Sequence, residues 1–194
     1  MPSEAPTHAE RLARIRRPAD YPLTILLINP INRVLVGPVH RLGISLLAAR
    51  PELTEGAFLI LMSDHIVAPA IAELAAAAEP VDGGAVLLVD RNIGGVFDLD
   101  DATKVVAPGG RMARIGKTLE SYDAVDVGVF IATIGLLNAL DAVRAQTGDA
   151  TLSAGVQRLA DDGLMHTLDI GDAFWQDVDT PEMLERARMW SETR

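Results

Sequence analysis

The sequence contains no cysteine, and lysine occurs only twice in its 194 residues. The absence of cysteine excludes disulfide bonds, thiolate zinc sites and cysteine nucleophiles, and it fits a protein of the reducing cytoplasm. The segment Met1–Asp20 is polar and has no apolar run that resembles a signal peptide or a membrane span. These absences together predict a soluble, cytoplasmic protein.

Basic residues are also scarce, since 17 of them stand against 27 acidic ones and leave a net charge of −10. Such a charge repels a phosphate backbone, which excludes nucleic acid as the expected partner. A small phosphorylated substrate remains compatible with it, because a divalent cation held by carboxylates inverts the local field. With 49% hydrophobic residues, the chain has enough apolar material for one globular domain over residues 1–194.

Apolar runs of strand length alternate with stretches of helix length along the chain. The runs Ala57–Met62 and Ala85–Val89 are typical of strands buried on both faces of a parallel sheet. The predicted strands are Leu23–Ile28, Ala57–Met62, Ala85–Val89, Ala124–Ala132, Met165–Ile170 and Phe174–Val178; the predicted helices are Glu4–Arg17, Gly43–Arg50, Ile66–Glu79, Gly135–Gln146, Leu152–Asp161 and Pro181–Trp190. Lys104–Ala107 and Arg111–Ile115 flank a glycine-containing turn and predict an inserted β-hairpin. The alternation predicts a three-layer α/β domain with a mostly parallel sheet.

Aspartates follow two of the predicted strands. Asp64 closes one strand, and Asp177 and Asp179 close another. Because ligands of open α/β sheets collect at the carboxyl ends of the strands, these side chains are candidates to hold Mg²⁺ together. Such an ion would neutralise a triphosphate and position an attacking oxygen in line. The competing interpretation is structural, since aspartates often form turns or cap helices, as Asp179 can do before Thr180 and Pro181.

The two lysines, Lys104 and Lys117, lie in or beside the predicted hairpin. A lysine is a mobile point charge suited to a phosphate monoester, and the alternative is an exposed lysine that protects an edge strand. His65 can donate to a phosphate, although a histidine beside a strand end is more often structural. The histidines have no metal-ligand spacing, and no Gly-x-Ser-x-Gly motif supports acyl transfer.

Several segments of the sequence resemble one family in their order and spacing. They are Gly43–Arg50, Phe58–His65, Asp90–Arg91, Asp101–Val105, Ile115–Lys117, Tyr122–Gly128 and Trp175–Thr180. From Ile25 onwards, the chain resembles the sugar- and alcohol-phosphate nucleotidyltransferases, in particular the inositol-1-phosphate cytidylyltransferase branch. The resemblance implies a Rossmann-like fold and the transfer of a cytidylyl group from CTP to an alcohol phosphate such as inositol 1-phosphate, with release of pyrophosphate.

The same resemblance implies a role for each candidate residue. The metal ligands for Mg²⁺ would be Asp64, Asp177 and Asp179; the catalytic residues would be Asp64 and Lys117; the substrate-binding residues would be Lys104, Asp126, Gly128 and Ser45. In this role Lys117 would meet the acceptor phosphate. No covalent intermediate is implied, so the protein would act by positioning and by charge neutralisation.

One feature of that family has no counterpart in the sequence, namely the glycine-rich loop that holds the triphosphate after the first strand. Met1–Asp20 contains no glycine at all. We therefore expect either a truncated or misplaced start, with negligible turnover of CTP by these 194 residues, or a degenerate domain that binds a phosphorylated ligand or a partner without catalysis. A sheet without its first strand would expose apolar surface and favour a homo-oligomer. A sugar 1-phosphate or phosphocholine is the alternative acceptor.

Overall fold

The computed structural model describes residues 24–28, 42–53 and 56–193. The strands are β1 (Thr24–Ile28), β2 (Phe58–Met62), β3 (His65–Val67), β4 (Ala85–Asp90), β5 (Lys104–Val106), β6 (Arg114–Gly116), β7 (Ala124–Ala132), β8 (Met165–Asp169) and β9 (Trp175–Asp177). The α-helices are α1 (Leu42–Ala48), α2 (Pro69–Ala77), α3 (Ile134–Thr147), α4 (Leu152–Asp161) and α5 (Pro181–Glu192). The predicted helix Glu4–Arg17 lies outside the described residues. No helix in the described part of the chain combines the length and the hydropathy that a membrane crossing requires.

Five strands form the main path of the sheet in the order β1–β2–β7–β4–β8, and β5 and β6 extend it as a hairpin beside β7. β1 is parallel to β2, and β4 is parallel to β8. β7 lies between these pairs and is antiparallel to both of its neighbours on this path. The predicted α/β fold with a mostly parallel sheet and an inserted hairpin is therefore confirmed, with one reversed strand at its centre.

The strand β4 explains why helices cover both faces of the sheet. All of its residues are buried, and successive side chains point to opposite faces. Leu87 belongs to a cluster with residues of α1, α3 and α4, whereas its neighbour Leu88 belongs to a second cluster with Ile71 of α2. Helices on both faces give the three layers that the uninterrupted apolar runs predict.

The short strand β3 departs from the predicted helix Ile66–Glu79. β3 pairs antiparallel with β9 in the register that sets His65 opposite Asp177, as a separate two-stranded sheet. The helix α2 begins only at Pro69, a residue that suits a first helical turn because it has no N–H to leave unpaired. The pairing with β9 therefore takes the residues that follow Asp64 out of the helix.

The inserted hairpin is shorter than predicted in its second strand. β5 pairs with β6 and with β7, but Arg111 forms an isolated bridge with His166, and β6 begins only at Arg114. In the turn that follows β5, Gly109 and Gly110 have positive φ angles of 61° and 82°. Glycine adopts such angles at little cost, so this turn determines where the chain reverses.

A bulge interrupts the pairing of β7 with β4. The register shifts between Leu87 and Val89, and Gly128 of β7 has a φ angle of 78° in this region. An added Cβ at Gly128 would lie 2.7 Å from an atom of His65 and 2.9 Å from one of Met62. The bulge therefore brings the backbone of β7 close to the turn that follows β2.

Candidate active site

A cavity of about 220 Å³ lies beside the turn after β2 and the end of β9. Six of the predicted site residues line it: Asp64, Lys117, Asp126, Gly128, Asp177 and Asp179. Clustering at strand ends is expected, but the strands belong to two sheets, since β2 lies in the main sheet and β9 in the two-stranded sheet. Ser45 lies half-buried in α1 and is not among the lining residues, so its predicted role in substrate binding stays a prediction.

Asp64 is held through both its backbone and its side chain. Its carbonyl oxygen accepts a hydrogen bond from the Val178 N–H at 2.9 Å, which joins it to the chain between Asp177 and Asp179. Its Oδ1 lies 3.0 Å from Nδ1 of His65. Because an ionised carboxylate only accepts hydrogen bonds, Nδ1 carries the proton in this pair. The contact engages only one of the two carboxylate oxygens.

The carboxylates of the cavity fit a divalent cation by their chemistry. Burial raises the pKa of Asp177; the nearby His65 opposes this rise and the charge of Asp179 adds to it. A cation would remove that repulsion, and Mg²⁺ takes oxygen ligands but needs only one or two protein carboxylates. No three metal-ligating side chains form a ready-made cluster within the described residues. The remaining ligand positions would therefore belong to water and phosphate.

Asp126 lies half-buried in the wall of the same cavity. Burial raises the pKa of Asp126 to about 6, although the Gly128 N–H and the nearby His65 act to lower it. The Gly128 N–H donates to Asp126 Oδ1 at 2.7 Å. At neutral pH this carboxylate is mostly ionised, so it can accept hydrogen bonds from a hydroxyl-bearing ligand.

Of the two lysines, only Lys117 lines the cavity, where its Nζ lies 2.7 Å from Oδ1 of Asp101. These side chains are 57% and 59% exposed, so solvent weakens the pair and a phosphate can compete for the lysine. Lys104 is buried, and its Nζ donates to the carbonyl oxygen of Asp100 at 2.8 Å. The structure does not bring Lys104 into the cavity, and its predicted supporting role stays a prediction.

Comparison with known proteins gives relatives by sequence. The chain is 34% identical over 153 residues to a bifunctional IPC transferase and DIPP synthase of Aquifex aeolicus. It is 32% identical over 138 residues to a protein of the same name from Thermococcus kodakarensis. These alignments cover 79% and 71% of the chain. No model of a known protein family matches it.

Comparison with solved structures gives the same class of fold. The inositol-1-phosphate CTP transferase from T. maritima aligns with a TM-score of 0.68 and 22% identity, over 88% of this chain and 76% of that one. A UDP-glucose pyrophosphorylase complexed with UDP-glucose aligns with a TM-score of 0.60 and 9% identity, over 79% of this chain and 63% of that one. By sequence and by fold, the chain is similar to the sugar- and alcohol-phosphate nucleotidyltransferases.

These matches confirm the resemblance inferred from the sequence motifs, and the solved structures confirm the Rossmann-like fold class. The chain spans about a third of the length of the relatives it matches, 33% of the first and 29% of the second. The activities named for those relatives are therefore proposals for this chain.

Among the other residues that line the cavity, Asp101 and Trp175 have no role in the sequence-based prediction of the site, and His65 appears there only as a residue that can donate to a phosphate. Asp101 pairs with Lys117, and Trp175 is stacked on His65 with the ring centroids 6.0 Å apart. These contacts join segments that are distant in the chain, so no local pattern signals them. The position of His65 directly after a strand-end aspartate is the one clue in the sequence.

Proposed function

We propose that this chain takes part in the transfer of a cytidylyl group from CTP to an alcohol phosphate such as inositol 1-phosphate, with release of pyrophosphate. The observation that carries the proposal is that Asp64, Asp177, Asp179 and Lys117 line one cavity. The relatives named as IPC transferases, and the structural likeness to an inositol-1-phosphate CTP transferase, support the choice of this reaction.

In the proposed reaction, an oxygen of the acceptor phosphate attacks the α-phosphorus of CTP. A new P–O bond forms, the bond from the α-phosphorus to the oxygen bridging to the β-phosphate breaks, and that oxygen leaves with pyrophosphate. Lys117 would neutralise the acceptor phosphate, and Asp64 with one of Asp177 and Asp179 would hold Mg²⁺. The bound ion would supply charge neutralisation on the phosphates. No protein side chain forms a covalent bond, so positioning is the main contribution of the chain.

Asp126 is the proposed contact for hydroxyl groups of the acceptor. Its carboxylate lines the same cavity as Lys117, so one ligand that carries both hydroxyl groups and a phosphate can meet both side chains. A site built to hydrogen-bond a hydroxyl group discriminates strongly against analogues that lack it. This arrangement favours a polyol phosphate over phosphocholine, which has no hydroxyl group to offer to Asp126.

The test is incubation with CTP, Mg²⁺ and one of three acceptors: inositol 1-phosphate, glucose 1-phosphate or phosphocholine. Products are identified by mass spectrometry, and pyrophosphate is measured in parallel. The 194-residue chain is compared with the longest in-frame translation of its gene, because its sequence shows no counterpart of the glycine-rich loop that holds the triphosphate. We expect the longest form of the protein to convert CTP and inositol 1-phosphate into CDP-inositol and pyrophosphate. If only glucose 1-phosphate or phosphocholine gave a nucleotide product, the proposed acceptor would be wrong. If neither form of the protein gave a product but both bound the ligands, the domain would be non-catalytic.

A further inference from the structure

We propose that His65 is a positioning residue whose Nδ1–H fixes the carboxylate of Asp64 in the orientation that a divalent cation requires. This inference rests on the proposed function, because Asp64 is a metal ligand only if the cavity binds Mg²⁺. Nδ1 of His65 lies 3.0 Å from Oδ1 of Asp64, and the two side chains are 17% and 26% exposed. The hydrogen bond restricts rotation of the carboxylate and leaves its second oxygen for the ion.

The imidazole ring can orient Asp64 only if the ring itself is held. It is stacked on Trp175, with centroids 6.0 Å apart and planes inclined by 13°. Trp175 is anchored in turn, because its Nε1–H donates to Oδ2 of Asp90 at 2.8 Å. Asp90 is only 8% exposed, and its Oδ1 accepts the Asn92 N–H at 2.7 Å. A series of contacts therefore connects the buried carboxylate of Asp90, through Trp175 and His65, to Asp64.

The ring is also confined by the backbone of β7. A Cβ added to Gly128 would lie 2.7 Å from Cδ2 and 2.8 Å from Nε2 of His65, closer than real Cβ atoms approach other atoms. The imidazole therefore occupies the space that a side chain at this position would need. With Nδ1 engaged by Asp64, His65 acts on a ligand of the ion rather than on the ion itself.

The first experiment measures metal binding by the 194-residue chain, with Mn²⁺ as a spectroscopic substitute for Mg²⁺ and free Mn²⁺ quantified by electron paramagnetic resonance. His65→Ala removes the hydrogen bond, and we expect the Kd for Mn²⁺ to rise by about 10- to 100-fold, the usual loss when a partner of a metal ligand is removed. In His65→Asn the amide nitrogen is attached to Cγ, as Nδ1 is, so affinity should largely return. In His65→Gln the amide nitrogen lies one bond further out, near the place of Nε2, and affinity should stay low.

The second experiment tests the contact with β7. Gly128→Ala should displace the ring and weaken Mn²⁺ binding by a similar factor, although His65 and Asp64 are both retained. Gly148→Ala is the matched control, because Gly148 has nearly the same φ, 77° against 78°, but has no atom within 4 Å of an added Cβ. It imposes the same backbone strain and should leave Mn²⁺ affinity unchanged.

The outcomes separate this inference from the proposed function. If Asp64→Asn leaves Mn²⁺ binding intact, the proposed metal site is wrong. If Asp64→Asn abolishes binding while His65→Ala and Gly128→Ala bind Mn²⁺ as tightly as the wild type, only the role of His65 is wrong. Equal affinities for His65→Asn and His65→Gln would also contradict the hydrogen bond through Nδ1. Urea unfolding of each variant shows that it is folded under the conditions of the binding measurement.

Discussion

At the scale of single residues, identical aspartates acquire different pKa values from their surroundings. Burial raises the pKa values of Asp126 and Asp177. Asp123 shows the opposite: burial acts to raise its pKa, but the Ala107 N–H and the Arg91 guanidinium together lower it. Arg91 lies 2.9 Å from Asp123, so that carboxylate is satisfied within the fold. The aspartates with raised pKa values line the cavity, which is where a ligand or ion would supply the missing partner.

Replacement of Asp64 by alanine should abolish stabilisation by Mg²⁺. An ion that binds only the folded state, at roughly ten times its Kd, stabilises it by about 1.4 kcal/mol. That corresponds to a rise in melting temperature of roughly 3 to 6 °C for a chain of this size. Asp141→Ala is the control, because this exposed aspartate pairs with Arg50 and does not line the cavity, so its variant should keep the rise. If Mg²⁺ did not change the melting temperature of the wild type, the proposed metal site would be wrong.

Asp126 should make the stability of the fold depend on pH. The pKa of Asp126 is about 6 in the folded chain, against 3.8 for a free side chain, so the folded state binds a proton that the unfolded state has already lost. Its contribution is full below pH 3.8 and disappears as the pH rises through 6. The shift corresponds to at most about 3 kcal/mol.

The isosteric variant Asp126→Asn isolates this effect, because the other aspartates titrate equally in both proteins. Urea unfolding between about pH 4 and pH 7 would give the free energy of unfolding of each protein. The wild-type value minus the variant value should fall as the pH rises. A constant difference would show that Asp126 ionises at its ordinary pKa, and a difference that grows with pH would show that folding lowers this pKa.

At the scale of secondary structure, elements with a local signal could be predicted from the sequence. The observed bounds of β7 and α4 match the predicted bounds, because a long apolar run predicts a buried strand and an amphipathic repeat predicts a helix. β3 could not be predicted, since its strand conformation depends on pairing with β9, far along the chain. The antiparallel direction of β7 could not be predicted either, because a buried strand has the same composition in both directions.

The same distinction applies to the candidate site. Asp64 and Asp177 could be placed near each other from the sequence, because both lie at the ends of strands, where ligands collect. The stacking of His65 on Trp175 could not, since it depends on the side-chain packing of two elements that meet only in the fold. Sequence periodicity therefore locates the ends of elements, while contacts between their side chains require the register of the folded sheet.

The approach of α3 to the turn before β4 gives a prediction at this scale. A Cβ at Gly135 would collide with the carbonyl oxygen of Gly83. Helix propensity alone would favour alanine at Gly135 by about 1 kcal/mol, but we expect Gly135→Ala to destabilise the fold by about 1 to 3 kcal/mol in urea unfolding. Gly94→Ala is the control, since no atom lies within 4 Å of its added Cβ, and it should change stability by less than about 0.5 kcal/mol. A stabilising Gly135→Ala would mean that α3 has room to move away from the turn.

At the scale of the whole molecule, charge separates this chain from proteins that hold phosphates by basic side chains alone. The net charge is −10, and the lining of the cavity includes five aspartates and a single lysine among the described residues. Lys117 is itself paired with Asp101. A triphosphate that approached this surface without a cation would therefore meet net repulsion. The charge from which we expect no nucleic-acid partner thus also leads us to expect a metal ion in any nucleotide complex.

Binding of CTP to this chain should accordingly depend on Mg²⁺. A divalent ion among the carboxylates reverses the local field, and unit charges about 4 Å apart near a protein surface interact by about 4 kcal/mol. After discounting for exchange with solvent, we expect the Kd for CTP to fall by more than about tenfold when Mg²⁺ replaces a chelator at constant ionic strength, as measured by isothermal titration calorimetry. Cytidine, which has no phosphate, is the control ligand, and its affinity should not respond to the metal. Equal affinity for CTP with the chelator would mean that positive groups outside the described cavity hold the phosphates, and the carboxylates would then have no part in nucleotide binding.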